Sequence, residues 1–256
     1  MTRKVGFLFD LDGTMINTDP LHFKMWKELL AKEIPDMTSD FYKKNISGGH
    51  NAEILARLFP SWTKEQCTIW SDNKESLFRE ELAKSQIEIV PGLQDFIKMI
   101  SCNGTWQYTS KNGEIVNIVP LVVTNAPIEN SAQMLAAVGS EMKIIQLEDP
   151  RSPMRDAPPF VDIFIVPERQ CPGKPNPDPY MNVMKENGLD PKDCVAFEDS
   201  PDGVKSASSA RAKRVFGIKT THSHEVLTNN GATETVNDWN EIIQRYPTVE
   251  SFFCDF

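Results

Sequence analysis

Two carboxylates separated by one residue, Asp10 and Asp12, follow the apolar run Val5 to Leu11 in the segment Phe9-Asp10-Leu11-Asp12-Gly13-Thr14. In an extended chain successive side chains alternate, so Asp10 and Asp12 fall on one side. Gly13 allows the backbone to turn closely around a ligand. The same D-x-D-G pattern also occurs in calcium loops and ordinary turns. A second acidic pair, Glu198 and Asp199, ends the apolar run Cys194 to Phe197, and Ser200-Pro201 behind it reads as a helix cap followed by a first-turn proline. If the two runs are neighbouring strands, four carboxylates converge. Such a cluster needs a cation, and hard oxygen ligands select magnesium or calcium over soft metals.

Two further segments supply groups for an anion. Leu121 to Thr124 is another apolar run, ending in the hydroxyl of Thr124 and the amide of Asn125. Both can donate to a phosphate oxygen or cap a turn. In Pro172-Gly173-Lys174-Pro175-Asn176-Pro177-Asp178-Pro179 the prolines predict an extended segment that aims Lys174 at the acidic groups.

The elements that must hold these residues are short buried strands alternating with helical stretches. Candidate strands are Val5 to Leu11, Leu121 to Thr124, Val161 to Val166, Cys194 to Phe197 and Arg214 to Ile218. Their spacing predicts an α/β fold with a doubly wound, Rossmann-like parallel sheet, whose ligand sites lie at the carboxyl ends of the strands. The long interval between the first two strands exceeds a single crossover and predicts an insert. Within it LHFKMWKELL, AEILARLF and ESLFREEL have helical periodicity, and Val90-Pro91-Gly92 returns the chain to the sheet. The expected organisation is a core of residues 1–17 and 90–256 with an α-helical domain at 18–89. Asn112-Gly113 predicts a hairpin within Thr105 to Val119, and the proline-rich stretch Glu148 to Phe160 an irregular surface loop, both as decorations on the core.

Composition narrows the function. The 256 residues carry 27 Lys+Arg against 36 Asp+Glu, a net charge of -9, which argues against a nucleic-acid partner. No apolar run approaches the ~18 residues of a membrane helix. Five scattered cysteines without a C-x-x-C pair read as reduced thiols, and a cytoplasmic location is expected. Nothing in the motifs implies a protein partner.

The four motifs in this order resemble the haloacid dehalogenase superfamily. The D-x-D-G-T form resembles its phosphoryl-transferring branch, and the insert resembles the helical cap of the β-phosphoglucomutase-like subgroup. DPLHFKMWKELL, ISGGHNAEILARLFP, KESLFR, VTNAP, KPNPDPY and FEDSPDGVKSA are similar to plant-type broad-range sugar-phosphate phosphatases. The resemblance implies that Asp10 is the nucleophile and Asp12 the general acid and base. It implies phosphate contacts from Gly13, Thr124, Asn125 and Lys174. Mg²⁺ is expected on Asp10, the Asp12 carbonyl and Asp199, with Glu198 beside them. The carboxylates and a phosphate dianion outnumber the positive charges, so one carboxyl pKa should rise, and Asp12 is the one whose role suits it.

In the cap, the resemblance places substrate selection at Gly48, Gly49, His50 and Asn51, with His22 near the catalytic acid; Lys74 reads as a solvated lysine on its helix, with contact to a sugar hydroxyl or a second phosphate as the functional alternative. Mutase relatives carry an arginine where this chain has Asn51, which favours transfer to water. The expected partner is therefore a small phosphorylated metabolite. A hexose-phosphate mutase, or a non-catalytic binding protein on the same fold, is the alternative.

Overall fold

The computed structural model describes residues 3–85, 88–102, 104–142, 162–165 and 171–254. Among them a seven-stranded sheet runs β2-β3-β1-β5-β6-β7, with β4 also pairing β3. The strands are β1 (Arg3–Phe9), β2 (Gln107–Thr109), β3 (Ile115–Thr124), β4 (Asp162–Ile165), β5 (Cys194–Glu198), β6 (Arg214–Ile218) and β7 (Glu234–Val236). Every pairing is parallel except β2 with β3. Phe9 is in register with Val122 of β3 and with Phe197 of β5. The three strands therefore end nearly flush, which brings Asp10, Thr124, Glu198 and Asp199 to one edge of the sheet.

Both faces of the sheet are covered, so its strands are apolar throughout. Val5, Phe7 and Phe9 enter one hydrophobic cluster and Leu8 the other, as period-2 alternation requires. The first face packs against α5 (Leu93–Ile100), α6 (Ile128–Met142) and α10 (Trp239–Arg245). The second packs against α7 (Asp178–Glu186), α8 (Pro201–Ser209) and α9 (His224–Asn229). Phe9, Phe96, Phe197 and Trp239 form a mutually packed aromatic group beneath the loop from Asp10 to Thr14.

The insert folds as α1 (Asp19–Leu29), α2 (Ser39–Asn45), α3 (Asn51–Leu58) and α4 (Lys64–Lys84). Trp26, Leu30, Tyr42, Ile46, Ile54 and Leu55 build a separate small core for it. Thr63 and Gln66 close a capping box at the start of α4. Met25, Phe78 and Leu82 join the main cluster instead, so the cap is packed onto the sheet domain. The two connecting chains run side by side: Asn17 N–H donates to Glu88 C=O at 2.9 Å and Val90 N–H to Met15 C=O at 2.9 Å.

Two expectations need correction, and one strand went unannounced. The hairpin is not a decoration: its second arm is the first half of β3, which runs unbroken from Ile115 to Thr124. Pro120 masked that continuity. Ile118 N–H points towards the β2 side, donating to Trp106 C=O, and Pro120 faces the same side between the residues paired with β2 and those paired with β4. Its missing N–H thus costs no ladder bond. The Lys174 segment is a turn and not extended, since Asn176 N–H donates to Gly173 C=O at 2.9 Å. Strand β7 carried no apolar run to announce it. The stretch Glu148 to Phe160 lies outside the described residues. All five cysteines are free. Among the described residues no helix is long and apolar enough to cross a membrane.

Candidate active site

Lys174 is the hub of the acidic group. Its Nζ donates to Asp10 Oδ1 at 2.7 Å, to Glu198 Oε1 at 2.7 Å and to Val123 C=O at 2.8 Å. Asp10, Lys174, Glu198 and Asp199 are all buried. Desolvation lowers the ammonium pKa, but Asp10 and Glu198 outweigh it and hold Lys174 above the ordinary lysine value. Tyr180 donates to Glu198 Oε1 at 2.5 Å, and Thr221 to Asp199 Oδ2 at 2.5 Å.

Asp10, Glu198 and Asp199 present carboxylate oxygens within 4.8 Å of one another, a grouping that can hold a metal ion. Glu198 Oε2 is buried without a hydrogen-bond partner. Burial, followed by the negative charge of Asp10, pushes Glu198 up to about 7 and Asp199 well above its ordinary value. Asp10 is raised as well, chiefly by burial. An orphaned oxygen, three converging carboxylates and an uncompensated negative charge fit a hard divalent cation. The chain leaves room for it with glycine: a Cβ on Gly13, whose φ is +75°, would lie 2.1 Å from Asp199 Oδ2.

Asp12 behaves differently from the expectation. Burial would raise its pKa, but hydrogen bonds from His22 and Thr18 and the charge of Lys74 prevail and hold it below the ordinary carboxylate value. The raised carboxyls are Asp10, Glu198 and Asp199, because Asp12 faces the cap, where its neighbours are donors. Thr18 Oγ1 donates to Asp12 Oδ1 at 2.7 Å and His22 Nε2 lies 3.1 Å from the same oxygen. Behind it, Lys74 Nζ lies 2.9 Å from His22 Nδ1. An ammonium has only donors, so Nδ1 accepts and Nε2 carries the hydrogen given to Asp12. His22 is stacked on Phe78 with ring centroids 4.2 Å apart.

A cavity of about 370 Å³ separates core and cap. Thr124, His50, Asn51, Gly48 and Gly49 line it together with the acidic residues. Thr124 Oγ1 accepts from Ala126 N–H at 3.0 Å, which leaves its hydroxyl hydrogen for a ligand. Asn125 lines the cavity as well and braces the lysine segment. Its carbonyl accepts from Lys174 N–H at 3.1 Å and its amide donates to Lys174 C=O at 3.3 Å, so the side chain fixes the lysine loop. A Cβ on Gly48, at φ +79°, would stand 3.0 Å from Ser200 Cβ, so the cap loop rests on the core directly above the second acidic pair. Lys74 is 2% exposed, far from the solvated lysine its sequence context suggests.

Sequence reasoning gave no role to Glu75, Thr18, Tyr180 or Thr221, all of which touch assigned residues; Glu75 and Tyr180 lie within the quoted stretches KESLFR and KPNPDPY. Glu75 Oε1 accepts from Lys74 at 2.8 Å and from Asn51 at 2.5 Å, while Asn130 of α6 donates to Oε2. Only the adjacency of Lys74 and Glu75 in the sequence hinted at this.

Residues 5–211 match the model of the haloacid dehalogenase-like hydrolases. The chain belongs to this family. It is 25% identical over 208 residues to fructose-1-phosphate phosphatase YqaB of Escherichia coli, covering 81% of this chain and 93% of that one. It is 26% identical over 213 residues to hexitol phosphatase A of the same organism, covering 81% and 80% of the two chains. A crystallised HAD hydrolase, family IA, variant 3 from Entamoeba histolytica superposes with a TM-score of 0.71 at 25% identity, covering 99% of this chain and 98% of that one. The chain is thus a hydrolase, and these curated relatives are phosphatases.

Proposed function

We propose that this chain, a helical cap at 18–89 on a core of 1–17 and 90–256, is a Mg²⁺-dependent phosphomonoesterase acting on phosphates of small sugars or polyols. The observation that carries the reading is the division of labour between two carboxylates two residues apart: Asp10 held by Lys174 in the core, Asp12 held by Thr18 and His22 at the cap. The names of the relatives support a phosphorylated carbohydrate as substrate.

An oxygen of Asp10 attacks phosphorus, and the bond from phosphorus to the leaving oxygen breaks. Asp12 gives that oxygen its proton. The phosphate dianion beside Asp12 raises its proton affinity, which lets a carboxyl with a low resting pKa carry the proton. Asp12 then takes a proton from water, whose oxygen displaces Asp10 and releases inorganic phosphate. Thr124 donates to a phosphoryl oxygen, and the Lys174 ammonium, bound to Asp10, lends its positive charge beside the group. Asp10, Asp199, the Asp12 carbonyl and Glu198 hold the metal; Mg²⁺ bound there neutralises charge and orients those oxygens. Transfer goes to water because Asn51, engaged with Glu75, offers no positive charge to retain a phosphorylated intermediate.

Phosphate release from a panel of sugar and polyol monophosphates, with Mg²⁺ or with EDTA, tests the reading. Wild type should release phosphate with Mg²⁺ only, and Asp10→Asn should lose about 10⁴-fold or more of kcat. Release that persists in Asp10→Asn would overturn the assigned nucleophile.

A further inference from the structure

The lysines that line the cavity are Lys74 and Lys174, and no arginine lines it, among the described residues. Lys174 is committed to Asp10 and Glu198. Lys74 is committed to the cap: one donor meets His22 Nδ1, one meets Glu75 Oε1 at 2.8 Å, and the ammonium stands 5.3 Å over the ring of Phe78. Two of its three N–H groups are thereby engaged, and its charge is paired with that of Glu75.

Glu75 is fixed in turn from both sides of the cavity, by Asn51 at the start of α3 and by Asn130 of the core helix α6. Arg79 Nη1 donates to Asn130 Oδ1 at 2.9 Å and so secures the amide that holds Glu75. Burial would raise the Glu75 carboxyl, but Lys74 holds it below the ordinary value. Asp19 and Asp72 add two more carboxylates to the cavity lining. The surface opposite the phosphate position therefore offers paired charges and acceptors, with no cation to spare.

We propose that Glu75 is a specificity-determining residue which, by neutralising Lys74, confines the enzyme to esters whose leaving group is uncharged and hydroxyl-bearing. This rests on the phosphatase reading above and names its substrate class. A hydroxyl can donate to the acceptors of this wall. A second phosphate or a carboxylate would be desolvated against Glu75 with no partner, which is discrimination by an unfavourable contact.

The test compares kcat/KM for a hexose monophosphate, the corresponding hexose bisphosphate and a phosphorylated hydroxy acid. Wild type should prefer the monophosphate. Glu75→Gln keeps a carbonyl for Lys74 and Asn51 but removes the charge, so the ratio of bisphosphate to monophosphate activity should rise about tenfold, through a lower KM for the bisphosphate. Glu75→Asp should keep the wild-type ratio, and Lys74→Met added to Glu75→Gln should abolish the gain. Thermal unfolding of each variant verifies that it is folded. Equal losses on both substrates in Glu75→Gln, or a wild type that uses both alike, would overturn the role given to Glu75. Failure of wild type on every monophosphate would instead overturn the phosphatase reading.

Discussion

Gly13 and Asp199 lie so close that a single added methyl group would sit 2.1 Å from the carboxylate oxygen. Gly13 also has φ +75°, a conformation that costs any other residue. Gly13→Ala should therefore displace Asp199 or twist the Asp10 to Thr14 loop. A shift of about 1 Å in such groups can cost ~100-fold. Steady-state phosphate release should fall by about that factor while the far-ultraviolet circular dichroism stays native.

The same loop is braced from below. Trp239, fully buried, donates its Nε1–H to Thr14 C=O at 3.0 Å. Trp239→Phe leaves that carbonyl without its donor, at a cost of about 1–3 kcal/mol. Urea unfolding should show the loss as a lower midpoint with an unchanged slope.

Glu75 makes a pH-dependent contribution whose sign is fixed. Its folded pKa is depressed below 4.5 against the opposing effect of burial, chiefly by Lys74. A depressed carboxyl stabilises the fold fully above its unfolded pKa and loses that contribution as pH falls through the folded value. The melting temperature of wild type should exceed that of Glu75→Gln at pH 7, and the gap should close on acidification below the ordinary glutamate range.

Metal addition should stabilise the folded chain, because the ion binds a preformed cluster of Asp10, Glu198 and Asp199. At a concentration about 100-fold above Kd the gain is about 2.7 kcal/mol. Differential scanning fluorimetry with and without Mg²⁺ should show an upward shift in wild type and little or none in Asp199→Asn.

The sheet and its ligand edge were legible because burial on both faces writes continuous apolar runs, each followed by its polar residue: Asp10, Thr124, Glu198. The Ser200-Pro201 cap was legible for the same local reason, and Ser200 Oγ does accept from Gly203 N–H at 3.1 Å. Asp12 was misjudged because a count of charges has no geometry. It could not weigh the hydrogen bonds that Thr18 and His22, brought in by the first cap helix, give Asp12. Glu75 and Asn130 are 55 residues apart, and helical periodicity within each stretch says nothing of the other; only tertiary packing of α4 on α6 joins them. Strand β7, of sequence Glu-Thr-Val, exists through pairing with β6 and has no signal of its own.

The paired connectors at Asn17–Glu88 and Met15–Val90 fall between the groups that hold the two carboxylates. Thr18 and His22, which grip Asp12, stand on the cap side of that ribbon, whereas Asp10 and Lys174 stand on the other. Two side chains separated by a single residue are thus anchored in separate parts of the chain.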